Sequence, residues 1–256
     1  KHLVDQTYRD AQELIEAIWH GLQNARELGS LLKVEEQVDE VIARKREAER
    51  GTFWEHPEDL WQQWKRDFLD TLKDYVDRAA KAFDVNRRMF GQEAIKGVQL
   101  LDLLTRRYDV VTANPPYMGD LQMGQTLKEF TEGSYQRSAS DLYAAFMERC
   151  LQMTAEKSYT AMVTQQAFMF NVDLAELRAD IVQSRWVRSL AHVGPRGFEE
   201  IGGEKVNTSM FSICIIPPEH RASVFLRLLD AQTSAEKEAL LRHLVESQGG
   251  EEWFEI

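Results

Sequence analysis

Cysteine is nearly missing from this sequence: Cys150 and Cys214 are its only two in 256 residues. Two thiols in separate apolar stretches build neither a disulfide framework nor a thiolate cluster for zinc. Such sparse usage fits a reducing cytoplasm. Long apolar runs are missing as well. No stretch approaches the roughly 20 apolar residues that a spanning helix needs, and the opening KHLVDQTYRD lacks the charged-then-apolar order of a signal peptide. Membrane insertion and export are therefore not expected. An excess of base is the third absence. The formal net charge is -11, with 16 Lys and Arg against 20 Asp and Glu in residues 1–100 and 15 against 22 in the rest. A protein that grips nucleic acid unaided shows a basic stripe, so any such work here needs a local patch or another part of the molecule. Internal repeats and low-complexity segments are absent too.

What remains is 43% hydrophobic and 29% charged, enough for one large domain or two small ones with a real core. Residues 1–107 read as helical. In DAQELIEAIWHGLQNARELG, Leu14, Ile15, Ile18, Leu22 and Leu28 fall at helical spacing, and Gly29 is a plausible stop. A second helix is predicted over KVEEQVDEVIARKREAER, with Glu40 and Arg44 paired on its wet face. A third begins near Pro57 and aligns Leu60, Trp64, Phe68, Leu72 and Val76. After Leu100 the texture changes. YDVVTA, SYTAMVT, VRSLAHV and TSMFSICII read as four strands. DLYAAFMERCLQMTAE and NVDLAELRADIVQSR are helices of crossover length between the first three. This β-α-β-α-β pattern with a closing strand predicts a doubly wound α/β sheet over residues 108–220. Residues 221–256 are expected to be a C-terminal helical segment, built around SAEKEALLRHLVESQ.

The first strand ends in ANPPYMG, and ligands of open α/β sheets sit beyond the carboxyl ends of strands. Each proline fixes its own φ and restricts the residue before it, so Asn114 and Pro115 are both constrained. Two acceptors, the Asn114 side-chain oxygen and the Pro115 carbonyl, then stand beside the ring of Tyr117. That set suits an NH2 group on a planar ring. Such an amine is a poor nucleophile because its lone pair is delocalised, and accepting both of its hydrogens returns density to nitrogen. Tyr117 can stack on the ring and hold it in line with an electrophilic methyl. The same letters also end strands for purely structural reasons.

The tetrad Asn114, Pro115, Pro116 and Tyr117 resembles the catalytic motif of S-adenosylmethionine-dependent amino methyltransferases, in particular N6-adenine DNA methyltransferases. YDVVTANPPYMG, DLYAAFMERCL, VTQQAFMF and GPRGFEEIGGEKVNTSMF, in that order, are similar to the PglX-type adenine methyltransferases of BREX phage-defence systems. The resemblance covers about residues 100–216. It implies the catalytic half of a Rossmann-like methyltransferase sheet, with S-adenosylmethionine as cofactor and double-stranded DNA carrying a flipped adenine as partner. Other phage-defence proteins are possible further partners. Asn114 and Pro115 would bind the target amine, Pro116 hold the turn and Tyr117 stack on the adenine. The loop 118–140 would lie over the base or backbone, with Lys128 and Arg137 as phosphate contacts or as solvated loop charges. Gln165 and Gln166 would line the pocket or cap the following helix. Phe198 offers a second aromatic wall, or packs under its own loop, and Arg196 is a further basic candidate there. No metal site is expected.

One part of the resemblance has no counterpart. Enzymes of this type hold the cofactor with a glycine-rich turn after an earlier strand, and residues 1–107 contain no such strand and turn. RELGSLLK follows a helix, and RRMFGQEAIKG lacks the spacing. The chain is accordingly read as a fragment, its cofactor turn upstream of Lys1 and its DNA-reading region beyond residue 256. Alone it is expected to bind S-adenosylmethionine poorly and to be weak or inactive. Two alternatives stay open from the residues. NPPY also serves enzymes that methylate RNA amines or protein glutamine, and the helices carrying Trp19, Trp54, Trp61 and Trp64 suit a non-enzymatic interaction module of a defence complex.

Overall fold

The structure is a computed structural model that describes residues 24–49, 70, 99–197, 207–219 and 221–246. The helices expected before residue 24 and from Pro57 onward, and Phe198, lie outside the described residues. The chain divides into two units, Lys1–Arg106 and Arg107–Ile256. In the first, helix α1 (Ala25–Leu28) passes through a 3-10 turn (Gly29–Leu31) into helix α2 (Val34–Glu49). Gly29 ends α1 at a φ of 51°, a conformation that strains any residue with a Cβ, which is why the helix stops there. Helix α2 runs where its apolar spacing predicts. Leu28, Leu31, Leu32 and Val34 are buried, as are Leu101 and Leu104 of the helical segment 99–105.

The second unit is built on a five-stranded sheet in the order β1-β2-β4-β3-β5. The strands are β1 (Tyr108–Ala113), β2 (Thr154–Gln165), β3 (Trp186–Gly194), β4 (Thr208–Cys214) and β5 (Val224–Arg227). β1 is parallel to β2 and β3 to β5, while β4 runs antiparallel to both its neighbours. Four strands therefore point one way. Helix α4 (Leu142–Met153) makes the crossover from β1 to β2, and helix α5 (Ala175–Ser184) the one from β2 to β3. The second crossover skips one position in the sheet, and β4 fills the slot. Thr208, Ser209, Phe211, Ile213 and Cys214 are buried there, as a central strand requires.

Side-chain alternation gives the sheet two dry faces. Met162, Leu190, Phe211 and Ile213 pack on one side with Tyr143, Ala144, Met147, Cys150 and Leu151 of α4 and with Leu177 and Ile181 of α5. Phe168 joins them with its ring centroid 5.3 Å from that of Phe211. Burial of such a ring contributes about 1.5–3 kcal/mol. The intervening residues Ala191 and Met210 face the other way and pack with Leu240, Leu241 and Leu244 of helix α6 (Ser234–Glu246). Helices on both faces make this a doubly wound α/β unit, as predicted.

Three local expectations need correction. The first crossover helix ends at Met153, and its predicted tail TAE already belongs to β2. Thr154 takes its hydroxyl to the Cys150 carbonyl at 2.7 Å and to the Thr160 hydroxyl at 2.6 Å, closing the helix. A kink at Lys157, φ 61°, then shifts the register from Tyr108↔Thr154 to Val110↔Tyr159. The segment 221–256 was expected to be helical, yet Val224–Arg227 is a strand. Four residues are too few to show a period. The loop expected over 118–140 contains a 3-10 turn (Asp120–Gln122) and helix α3 (Gln125–Ser134). Leu127, Phe130 and Thr131 give α3 a half-buried side, and Gly124 and Gly133 masked the pattern.

Candidate active site

Parallel strands bring their carboxyl ends to one edge. Ala113, Gln165, Gly194 and Arg227 end β1, β2, β3 and β5 there, so the segments that follow them share that edge. These are Asn114–Tyr117, Gln166–Met169 and the turn at 194–197.

Asn114 is exposed at the strand end, Pro115 is buried, Pro116 is exposed and Tyr117 is half-buried. Tyr117 packs against the main core cluster and meets the buried Tyr143 edge to face, with centroids 6.1 Å apart and planes at 85°. This contact sets the plane of the Tyr117 ring while leaving part of it open. Burial raises the hydroxyl pKa of Tyr117, and burial followed by the Asp141 charge raises that of Tyr143, so both phenols are neutral at physiological pH.

The chain beyond Tyr117 is tied to the start of α4. The Met118 amide donates to Asp141 Oδ1 at 3.2 Å, and the Leu142 amide donates back to the Met118 carbonyl at 2.9 Å. The Asp120 amide donates to the Ser140 carbonyl at 3.1 Å. Asp141 also caps α4 by accepting from the Tyr143 amide at 3.3 Å. Burial raises the Asp141 pKa, opposed by the amides of Tyr143, Met118 and Leu142 and reinforced by the Asp120 charge. One carboxylate thus starts the crossover helix and fixes the tetrad loop. Sequence reasoning missed both Asp141 and Tyr143, although Asp before the apolar run LYAAF is an N-cap signature.

Gln165 and Gln166 lie at the same edge, the first ending the adjacent strand and the second opening the 3-10 turn after it. Gln165 makes no side-chain cap to the 3-10 turn after it, so the capping alternative is not adopted. Gln166 pairs through Oε1 with Nε2 of His192, and its amide donates to the Asn207 carbonyl at 2.8 Å. The His192 ring lies 6.0 Å from the exposed ring of Phe170. Burial, then the charges of Arg227 and Lys237, lowers the His192 pKa and keeps the imidazole neutral. Nothing in the sequence marked His192, because its partner Gln166 lies 26 residues away in the turn after β2.

The basic candidates divide. Lys128 is engaged by Asp120 at 3.4 Å and Glu132 at 3.8 Å. Arg137 bridges Glu148 at 3.4 Å and Asp180 at 3.6 Å, and Glu148 also accepts from Ser138 at 2.9 Å. The Lys128 pairs lie within the 118–140 segment, whereas those of Arg137 tie it to α4 and α5. Arg196 is exposed in the turn after β3, at a φ of 58°. A cavity of about 560 Å3 opens at the opposite edge, beside Val182, Arg185, Trp186, Pro218 and Phe225, and holds none of the tetrad.

Among the described residues no strand precedes β1, and so none ends in a glycine-rich turn able to cradle S-adenosylmethionine. Among the same residues no group of three metal-ligating side chains occurs, and no helix is long and apolar enough to cross a membrane.

Comparison with known proteins gives the family. The chain is 34% identical over 176 residues to the adenine-specific methyltransferase BrxX of Escherichia coli O9:H4 (strain HS), covering 69% of this chain and 15% of the relative. It is 33% identical over 219 residues to the adenine-specific methyltransferase PglX of Lacticaseibacillus casei (strain Zhang), covering 83% of this chain and 16% of the relative. The chain thus spans less than a fifth of the length of either. Among solved structures, a putative class I S-adenosylmethionine-dependent methyltransferase from Listeria monocytogenes aligns over 94% of this chain and 98% of its own, at 12% identity and a TM-score of 0.42. The model of the Eco57I restriction-modification methylase family matches residues 24–198, more than half the chain and inclusive of the whole tetrad, its Asp141 clamp and both glutamines. The chain belongs to the Eco57I restriction-modification methylase family.

Proposed function

We propose that this chain supplies the acceptor half of an enzyme that transfers a methyl group from S-adenosylmethionine to N6 of adenine in double-stranded DNA, in bacterial phage defence. The observation that carries this reading is the clamped tetrad: Asn114 exposed at a strand end, with the Tyr117 ring fixed against Tyr143 and the loop tied to Asp141. An adenine turned out of the duplex presents its NH2 in the plane of the ring. The Asn114 side-chain oxygen and the Pro115 carbonyl accept the two hydrogens, which sharpens the nitrogen lone pair. Tyr117 stacks on the base and holds it in line. Pro116 restricts the turn between them.

In this reading Gln165 and Gln166 face the base from the end of β2, Arg196 approaches it from the turn after β3, Phe198 is a second aromatic wall, and Lys128 and Arg137 serve mainly to shape the 118–140 segment. S-adenosylmethionine, when bound, would supply the electrophilic methyl. The catalytic half begins at Tyr108, after the helical region 1–107, and takes in β5. The isolated chain then binds S-adenosylmethionine weakly, and calorimetry on it gives little heat.

The test is a methylation assay with the full-length protein on duplex DNA, an RNA transcript and a release-factor protein in parallel. Label entering duplex DNA supports the reading. Label entering RNA or protein alone overturns it.

A further inference from the structure

Lys237, on α6, is the least expected buried charge in the second unit. It is 4% exposed, and its ammonium donates to the Val193 carbonyl at 2.7 Å and the Leu228 carbonyl at 2.9 Å. No carboxylate stands within ion-pair distance among the described residues; Glu236, its neighbour, accepts instead from the Gln232 amide at 2.7 Å and the Thr233 amide at 3.3 Å. Burial lowers the Lys237 pKa, the Arg196 charge adds to the shift, and the Glu236 charge opposes it. A buried cation without a counter-ion is costly. A methionine would fill the same space without that cost, so the ammonium is used for its directed bonds.

Those bonds meet at one place. Val193 is the penultimate residue of β3, and Leu228 follows β5 directly. Between them the chain turns at Gly194, φ 71°, where an added Cβ would lie 2.3 Å from Leu229 Cδ2. At Gly197 an added Cβ would meet Thr208 Oγ1 and Val193 Cγ1, each at 2.8 Å. Thr208, itself buried, donates its hydroxyl to the Gly194 carbonyl at 3.3 Å. The turn 194–197 is therefore gripped from two sides, by Lys237 and Leu229 from the β5-α6 side and by Thr208 from β4. It lies at the carboxyl edge shared with Asn114.

We infer that Lys237 is a positioning residue that fixes the turn 194–197 and so sets where that turn meets the DNA beside the acceptor site. This rests on the reading given under the proposed function. It also makes α6 a lever, because a shift of that helix moves the turn through one ammonium.

The test uses the full-length protein with Lys237→Met and Thr208→Val, each compared with wild type and with Asn114→Ala. Duplexes carry 2-aminopurine at the target adenine, and steady-state constants are taken for DNA and for S-adenosylmethionine separately. Both variants are expected to raise KM for DNA roughly tenfold and to weaken the 2-aminopurine signal, with KM for S-adenosylmethionine within about twofold of wild type. Should Lys237→Met fail to fold, Thr208→Val, which frees the same turn from the other side, decides by the same criterion. A KM for DNA unchanged in the folded variants, with only the melting temperature lowered, overturns the inference and leaves Lys237 a structural residue. Loss of methylation in Asn114→Ala keeps the underlying reading intact in that event. A wild type that methylates no DNA removes both.

Discussion

Replacing Asp141 tests how far catalysis depends on the clamp beneath the tetrad. Asp141→Ala removes two acceptor bonds, to the Met118 amide at 3.2 Å and to the Tyr143 amide at 3.3 Å. Loss of an N-cap carboxylate costs about 1–2 kcal/mol, and the half-buried charge that disappears with it offsets part of that. The Leu142 amide to Met118 carbonyl bond at 2.9 Å and the Asp120 amide to Ser140 carbonyl bond at 3.1 Å remain, so the loop stays attached but loosens. Misplacement by an ångström costs on the order of a hundredfold in rate, and a loosened loop is expected to lose roughly ten- to a hundredfold in kcat. Asn caps helices as well as Asp does, so Asp141→Asn should restore most of the rate. The assay is steady-state methylation of duplex DNA by the full-length protein, with thermal melts on the same samples. Equal rates for the Ala and wild-type proteins, or an Asn variant no better than Ala, would refute the reasoning.

Other consequences follow from the same contacts. The folded pKa of His192 lies below its ordinary 6.5, so the unfolded chain takes up a proton before the native state does. The stability this provides is present above the unfolded value and lost as pH falls through the folded one. Between about pH 7 and pH 5 the wild type should therefore lose more stability than His192→Gln in denaturant titrations, and parallel slopes would count against it. Cys150 is buried with its thiol pushed up to about 11, first by burial. Cys214 is 2% exposed. Both should react with a thiol reagent only on unfolding, and fast labelling of the native protein would show that the α4-sheet core is looser than described.

Most of the frame is legible in the sequence because its signals are local. The apolar runs of β1, β2, β3 and β4 and the crossover helices α4 and α5 declare themselves by period and length. The tetrad stands out because two prolines fix a strand end. What escapes is non-local. The insertion of β4 between β2 and β3 depends on pairing Phe211 with both Met162 and Leu190, across 49 and 21 residues of chain. β5 is too short to carry a period, and His192 gains meaning only beside Gln166. Asp141 was visible as a cap, yet its second bond, to Met118, appears only once the loop folds back 23 residues. The ion pairs of Lys128 and Arg137 were equally hidden, since charge spacing does not say which carboxylate an arginine finds.

The central claim is that the Asn114–Tyr117 edge presents an adenine amine for methylation. It is tested most directly by digesting duplex DNA, treated with the full-length protein and isotopically labelled S-adenosylmethionine, to nucleosides for mass spectrometry. The account predicts labelled N6-methyl-2′-deoxyadenosine from the wild type and at least about a hundredfold less from Asn114→Ala, because the acceptor that activates the amine is gone. Label on cytosine, or N6-methyl-2′-deoxyadenosine formed equally well by Asn114→Ala, would contradict it.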